Sequence, residues 1–233
     1  IYEGTYKYED FDKVGDTYTL KRNVPYFSSE SNTQPGMPKY ADLNGDGIID
    51  DNDRTMIGNG MPKHTGGFTN NFEYKGFDLS IFFQWSYGND VLNANRLFFE
   101  NSNKTRDLNQ YASYADRWTP ENPESNIPRA TDSGSNKVFS TRIIEDGSFL
   151  RLKTVSLGYT LPKQLTKKWK IDNARVFVAG QNLWTCTGYS GYDPEVSIRE
   201  GALTPGLDFS AYPRAYSISF GINLSLIHIS EPT

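Results

Sequence analysis

The run FDLSIFFQWSY, residues 77–87, alternates apolar and polar side chains with a single break. Phe77, Leu79, Ile81, Phe83, Trp85 and Tyr87 share one face, Asp78, Ser80, Gln84 and Ser86 the other, and Phe82 is the exception. A period of two marks a strand with one apolar face. Residues 65–74 repeat the pattern, with Phe68, Phe72 and Tyr74 opposite Thr69, Asn71 and Glu73, and Lys75-Gly76 joins the two runs. The pair predicts a hairpin with a tight turn. Residues 148–160, SFLRLKTVSLGYT, are also extended, but the apolar parity passes from Leu150 and Leu152 to Val155, Leu157 and Tyr159. One extra residue near Lys153 or Thr154 would absorb that change as a bulge. Residues 174–184, ARVFVAGQNLW, are β-rich with both faces partly apolar, which leaves their orientation open. A last strand follows, with Tyr216, Ile218, Phe220, Ile222 and Leu224 alternating with Ser217, Ser219, Gly221 and Asn223.

The connections sharpen this picture. A long segment rich in Asn, Asp and Ser separates the second strand from the third, with short helices expected near residues 94–100 and 108–117. Residues 161–173 make a shorter, lysine-bearing turn, and residues 185–213 a long loop rich in Gly, Tyr and Pro. In an up-and-down antiparallel sheet, alternating short and long connections put every long loop on one side, as in outer-membrane barrels. Each clean run is about ten residues, near the nine to eleven that a tilted strand needs to cross hydrocarbon. The expected class is therefore all-β, with the apolar face toward lipid and Trp85, Tyr87, Tyr74 and Tyr159 as girdle aromatics. A soluble β-sandwich is the alternative, in which the same face meets a core. Long loops confined to one side argue against it.

Composition changes little. Mean hydropathy is −0.62 although 14% of residues are aromatic. These values exclude a helical membrane span but not a barrel, whose strands average to unremarkable hydropathy. A net charge of −4 gives no reason to expect nucleic acid. The one cysteine, Cys186, excludes an intrachain disulfide. His64 and His228 lack catalytic companions, and there is no phosphate loop, nucleophile elbow or zinc spacing, so an enzyme is not expected. The chain starts at Ile1 with no initiator methionine or signal-type segment, and reads as a piece of something longer.

One stretch carries candidate chemistry. Residues 41–54 read ADLNGDGIIDDNDR. Calcium takes six to eight oxygens, and a twelve-residue EF-type loop supplies them from positions 1, 3, 5, 7, 9 and 12 with glycine at 6. Counted from Asp42, these are Asn44, Asp46, the Ile48 carbonyl, Asp50 and Asp53, with Gly47 at the turn. Ile49 is an apolar anchor. Asp53 is one methylene shorter than the usual glutamate, so a structural site of modest affinity is expected. The alternative is an acidic turn that binds nothing. The approach through Pro35, Gly36 and Pro38 excludes the flanking helix of a calcium sensor.

Taken together, KYADLNGDGIIDDNDRTMIGNGMPKHTGGFTNNFEYKGFDLSIFFQWSYGND, DGSFLRLKTVSLGYTLP, ARVFVAGQNLW, GYDPE and YPRAYSISFGINLSL resemble the C-terminal part of a SusC/RagA-type TonB-linked outer-membrane transporter. The resemblance runs from about residue 35 to 226. It implies the last strands of a barrel of about 22, in the outer membrane of Bacteroidota. It further implies uptake of glycans or peptides, a SusD-like surface lipoprotein as lid, and energy from TonB–ExbB–ExbD through an N-terminal part not present here. Residues 1–64 then read as an extracellular loop region holding the calcium-type loop, residues 65–226 as barrel strands and loops, and residues 227–233 as a non-native tail, because the family closes its last strand on an aromatic. Trp118, Tyr189 and Tyr192 lie in the long loops, where their rings could meet substrate or partner, or could instead fill small cores within the loops. A secreted calcium-dependent carbohydrate-binding module is the alternative function.

Overall fold

The computed structural model describes residues 1–101, 109–130, 138–198 and 204–226. The predicted tail, residues 227–233, lies outside the described residues. Five long strands form one antiparallel sheet: β1 (His64–Tyr74), β2 (Phe77–Tyr87), β3 (Phe149–Thr160), β4 (Ile171–Thr187) and β5 (Ser217–Leu226). Their order is 5-4-3-2-1, so each pairs with its neighbour in sequence. The sheet belongs to a compact unit comprising Met61–Asn89, Asp146–Val196 and Tyr212–Thr233.

The β1–β2 hairpin forms as its sequence predicts. Tyr74 pairs with Phe77, and Lys75 and Gly76 both take positive φ, 47° and 89°. That is the twist-matched two-residue turn, which admits few residues besides Gly, Asn and Asp. Phe82, the break in the alternation, also finds its reason here. Its ring lies on the polar face over Gly67, where a Cβ would come within 2.7 Å of it. Phe177 does the same over Gly221, so a bulky ring here covers a residue with no side chain.

The predicted bulge is present and is shared by both neighbours. Between Leu152 and Thr154 the register of β3 shifts against β2 and also against β4. In β4 the irregularity coincides with Asn182 at φ 52°. Strands β3 and β4 thus adjust at one level while β2 stays regular, which is how the apolar set stays on one face despite the parity change.

The turn after β3 holds a short helix, Lys163–Thr166, and a 3-10 turn, Lys167–Trp169, and β4 begins at Ile171, earlier than expected. Strand β4 also runs to Thr187, three residues into the predicted long loop. The expected helix near residues 94–100 is Asn95–Phe99, and that near residues 108–117 is a 3-10 segment, Ala112–Asp116, with Leu108 outside the described residues. The connection 88–148 is stitched at its neck: Gly147 N–H donates to the Asn89 carbonyl at 2.8 Å and Gly88 N–H to Ser148 Oγ at 2.9 Å.

The second unit comprises Ile1–Gly60, Asp90–Glu145 and Ser197–Ala211. It has short ladders instead of a large sheet. Tyr2–Thr5 pairs with Pro38–Tyr40, Phe11–Val14 with Thr17–Leu20, and Tyr26–Phe27 runs parallel to Ile48–Ile49. Tyr6, Phe11 and Leu20 form its small core, with Tyr18, Val24, Tyr26 and Met37 packed around them. A second anchor is ionic: Arg142 Nη2 donates to Glu100 Oε2 at 2.6 Å, and both side chains are buried.

Candidate functional site

The sheet presents two chemically distinct faces. Register fixes them, since Phe83 stands opposite Phe68 and Leu152, and Val178 opposite Leu157 and Phe220. Those side chains, with Ile81, Ile218 and Ile222, make a continuous apolar face that is largely open, Phe220 being 82% exposed. Aromatic residues gather at both ends of it. At one end His64 stacks on Tyr87 with centroids 5.1 Å apart and accepts from Trp85 Nε1–H at 3.1 Å, and at the other Phe77 meets Tyr159 at 4.5 Å. The opposite face carries Asp78, Ser80, Gln84, Ser156, Ser219 and Asn223. There Arg175 reaches across Gly158 and donates through Nε to Asp78 Oδ1 at 2.8 Å and through Nη2 to Oδ2.

The acidic loop 42–53 is shaped by its own carboxylates. Asp42 accepts from the N–H groups of Gly45 (2.7 Å) and Gly47 (2.8 Å), Asp46 from Ile48 (2.8 Å), and Asp50 from Asn52 (2.7 Å). Asn44 Oδ1 accepts from Asp46 N–H, while its Nδ2 donates to Asp46 Oδ2. Asp53 is buried and bridges the loop's ends, taking Leu43 N–H on Oδ1 at 2.7 Å and Asp50 N–H on Oδ2 at 2.8 Å. The Asp50 N–H bond, with those from Leu43 and Asn44, holds the Asp53 carboxyl below the ordinary carboxylate range. Ile49 is buried, and Gly45 and Gly47 adopt φ 78° and 86°. Among the described residues no three His, Cys, Asp or Glu side chains converge as a metal cluster. The donor set still suits a hard cation, because each carboxylate oxygen holding one N–H keeps a further lone pair.

The three loop aromatics part company. Trp118 is 5% exposed, its ring seated on Gly36 and against Tyr8 at 5.6 Å, with the Arg129 guanidinium over it. Tyr189 is 6% exposed and lies on Gly191. These two rings fill loop cores, whereas Tyr192 is 83% exposed.

Comparison with known proteins gives these faces a context. The chain is 36% identical over 199 residues to TonB-dependent receptor P3 of Formosa agariphila, a match covering 82% of this chain and 19% of that protein. The chain belongs to the TonB-dependent receptors. It is also 28% identical over 196 residues to the receptor SusC of Bacteroides thetaiotaomicron, covering 84% of this chain and 18% of SusC. A solved structure of the RagAB peptide importer in its closed-closed state superposes with TM-score 0.66 at 31% identity, over 81% of this chain and 20% of that one. No family model matches. The chain spans about a fifth of the length of the receptors it matches. Such receptors are bacterial outer-membrane proteins, and the all-β sheet is a piece of receptor barrel wall in that membrane.

One feature of the receptor was not foreseen from its sequence. On the polar face, beside the bulge, Arg151 is 3% exposed and donates through Nη2 to Asp193 Oδ1 at 2.5 Å and through Nη1 to Glu195 Oε2 at 3.0 Å. Lys153 Nζ and Arg214 Nε approach the same Glu195 oxygen at 3.3 and 3.1 Å. Asp193 also accepts from the backbone N–H of Glu195 and of Arg214. Burial works to raise the Asp193 pKa, but these bonds outweigh it and hold the carboxyl below its ordinary value. The GYDPE motif is thus where the loop after β4 is tied to the sheet.

Proposed function

We propose that this chain supplies wall strands and surface loops to an energy-coupled importer of glycans or peptides. The observation that carries the reading is the five-stranded meander with one open apolar face and one polar face, its long connections all leaving from one end. In a barrel the first face meets lipid and the second lines a wet lumen. The RagAB comparison supports a two-component assembly, so a SusD-like surface lipoprotein is the proposed lid, with TonB–ExbB–ExbD acting on other parts of the receptor. Residues 1–64 and the long loops lie outside the cell in this reading, and of Trp118, Tyr189 and Tyr192 it is Tyr192 that is free to touch solute or lid.

The orientation is tested on intact cells carrying the full-length receptor with Cys186 replaced. A cysteine at Phe139 should react with a membrane-impermeant thiol reagent, and one at Lys168 in the short turn should be protected. The reverse pattern overturns the sidedness, and the same cells deprived of TonB should lose uptake of the receptor's solute.

Calcium is proposed for the loop of Asp42, Asn44, Asp46, Ile48, Asp50 and Asp53, where it would stiffen a surface loop. The order of oxygens about Gly47 supports it. Extracellular sites of this kind bind at roughly 0.1 to 1 mM. Calorimetry on the full-length receptor should show calcium heat that Asp46→Ala abolishes, and equal heats would refute the site.

A further inference from the structure

The cluster around Glu195 is short of negative charge. Three cations, Arg151, Lys153 and Arg214, share two carboxylates, Asp193 and Glu195, and all three crowd one oxygen, Glu195 Oε2. Donors are left over. Arg151 Nε is buried with no acceptor, and the Arg214 Nη groups have none among the described residues. An unpaired buried donor is costly, and cations converging on one oxygen repel one another. A further anion on the accessible cations would relieve the crowding.

Two of the three cations are reachable. The Arg214 side chain is 49% exposed and that of Lys153 23%, whereas Arg151 is shut in, its guanidinium over the Phe149 ring at 5.3 Å. Register puts Arg151 opposite Gln84, on the polar face. Arginine's planar fork matches a carboxylate in two-point geometry, and a lysine beside it adds a point charge. We propose that Lys153 and Arg214 form a subsite on this face for the carboxylate of a solute, with Arg151, Asp193 and Glu195 as the fixed frame that aims them.

The proposal rests on the importer reading only for the source of the carboxylate, so its test reads occupancy instead of uptake. Crystals of the full-length receptor are soaked in 4-bromobenzoate, and the bromine is located by anomalous scattering. The wild type should show the probe with its carboxylate on Lys153 Nζ and Arg214, and 4-bromobenzamide should not bind there. In solution, Lys153→Met with Arg214→Met should weaken 4-bromobenzoate binding at least tenfold while the receptor keeps its heat-modifiable mobility on gels. Persistence of the probe in the double variant, or equal binding of the amide, marks an adventitious additive only and overturns the proposal. A carboxylate from elsewhere in the receptor already seated on Arg214 overturns it as well. A receptor that binds 4-bromobenzoate as expected but imports nothing would instead count against the importer reading alone.

Discussion

In the sheet, main chain bonds to main chain along four ladders, each between strands adjacent in sequence. In the loop unit, side chains take over that task across long separations. Tyr2 Oη donates to the Asn126 carbonyl, Thr5 Oγ1 to Ser125 and Tyr6 Oη to Pro25, while Arg142 and Glu100 form an ion pair away from water. The sheet is therefore redundant, since any single side chain can be lost and the ladders remain. The loop unit depends more on particular residues, most of all where removing one partner leaves the other buried without its bond, as at Arg142 and Glu100.

The sharpest way to break this contrast is to remove Arg142. Burial already pulls its pKa below the ordinary arginine value, against the attraction of Glu100. Arg142→Met leaves the buried Glu100 carboxylate with Arg96 and the Ser113 hydroxyl but without its shortest ion pair, and a broken buried pair costs about 3 to 5 kcal/mol. Hydrogen exchange on the full-length receptor should show residues 1–60 and 90–145 losing protection while β1 to β5 keep theirs. Loss of protection in the sheet as well would mean that the two regions do not differ in this way.

A smaller effect is expected on the sheet, and it depends on the face. Ile218→Arg puts a charge on the apolar face and should cost roughly 2 to 4 kcal/mol near the membrane midplane, against much less for Ser219→Arg one residue away. Refolding titrations in lipid vesicles would measure both, and equal costs would contradict the assignment of faces.

The smallest effect concerns Asp53, within the loop unit. Its pKa is lowered in the folded state, so its contribution is fully present above the ordinary aspartate value of about 3.9 and is lost as pH falls through the lowered folded value. Exchange protection of residues 43–53 should be flat from about pH 5 to pH 7 and decline in more acid solution. Asp53→Asn should be less protected at neutral pH and lack that acid-side decline.

The same contrast decides what could be read from the sequence. Strands β1, β2 and β5 were legible because a period of two is local, and so was the bulge, since a change of parity within one strand shows in a dozen residues. Even the exception, Phe82, needed only one nearby glycine, Gly67, once the register was known. The long connections were not legible in this way. Trp118, Tyr189 and Tyr192 look alike in sequence, and only their packing in the structure separates two buried rings from one exposed ring. The Arg151 cluster joins β3 to residues more than forty positions away in the chain, and no periodicity announces such a meeting. The acidic loop lies between these cases: its oxygen spacing is visible at once, but the N–H partners that those oxygens take appear only in the structure.

The stitched neck of the connection 88–148 has an evolutionary consequence. Once Gly147 and Ser148 are bonded back to Asn89 and Gly88, β2 and β3 are registered whatever lies beyond them. The entropy of closing a flexible segment grows only logarithmically, by about 0.6 kcal/mol for each doubling of its length. Insertions, deletions or wholesale exchange of what lies between the two ends of that neck are then nearly neutral for the wall. Connections closed by such a neck can diversify as interchangeable cassettes while the strands that carry them stay the same.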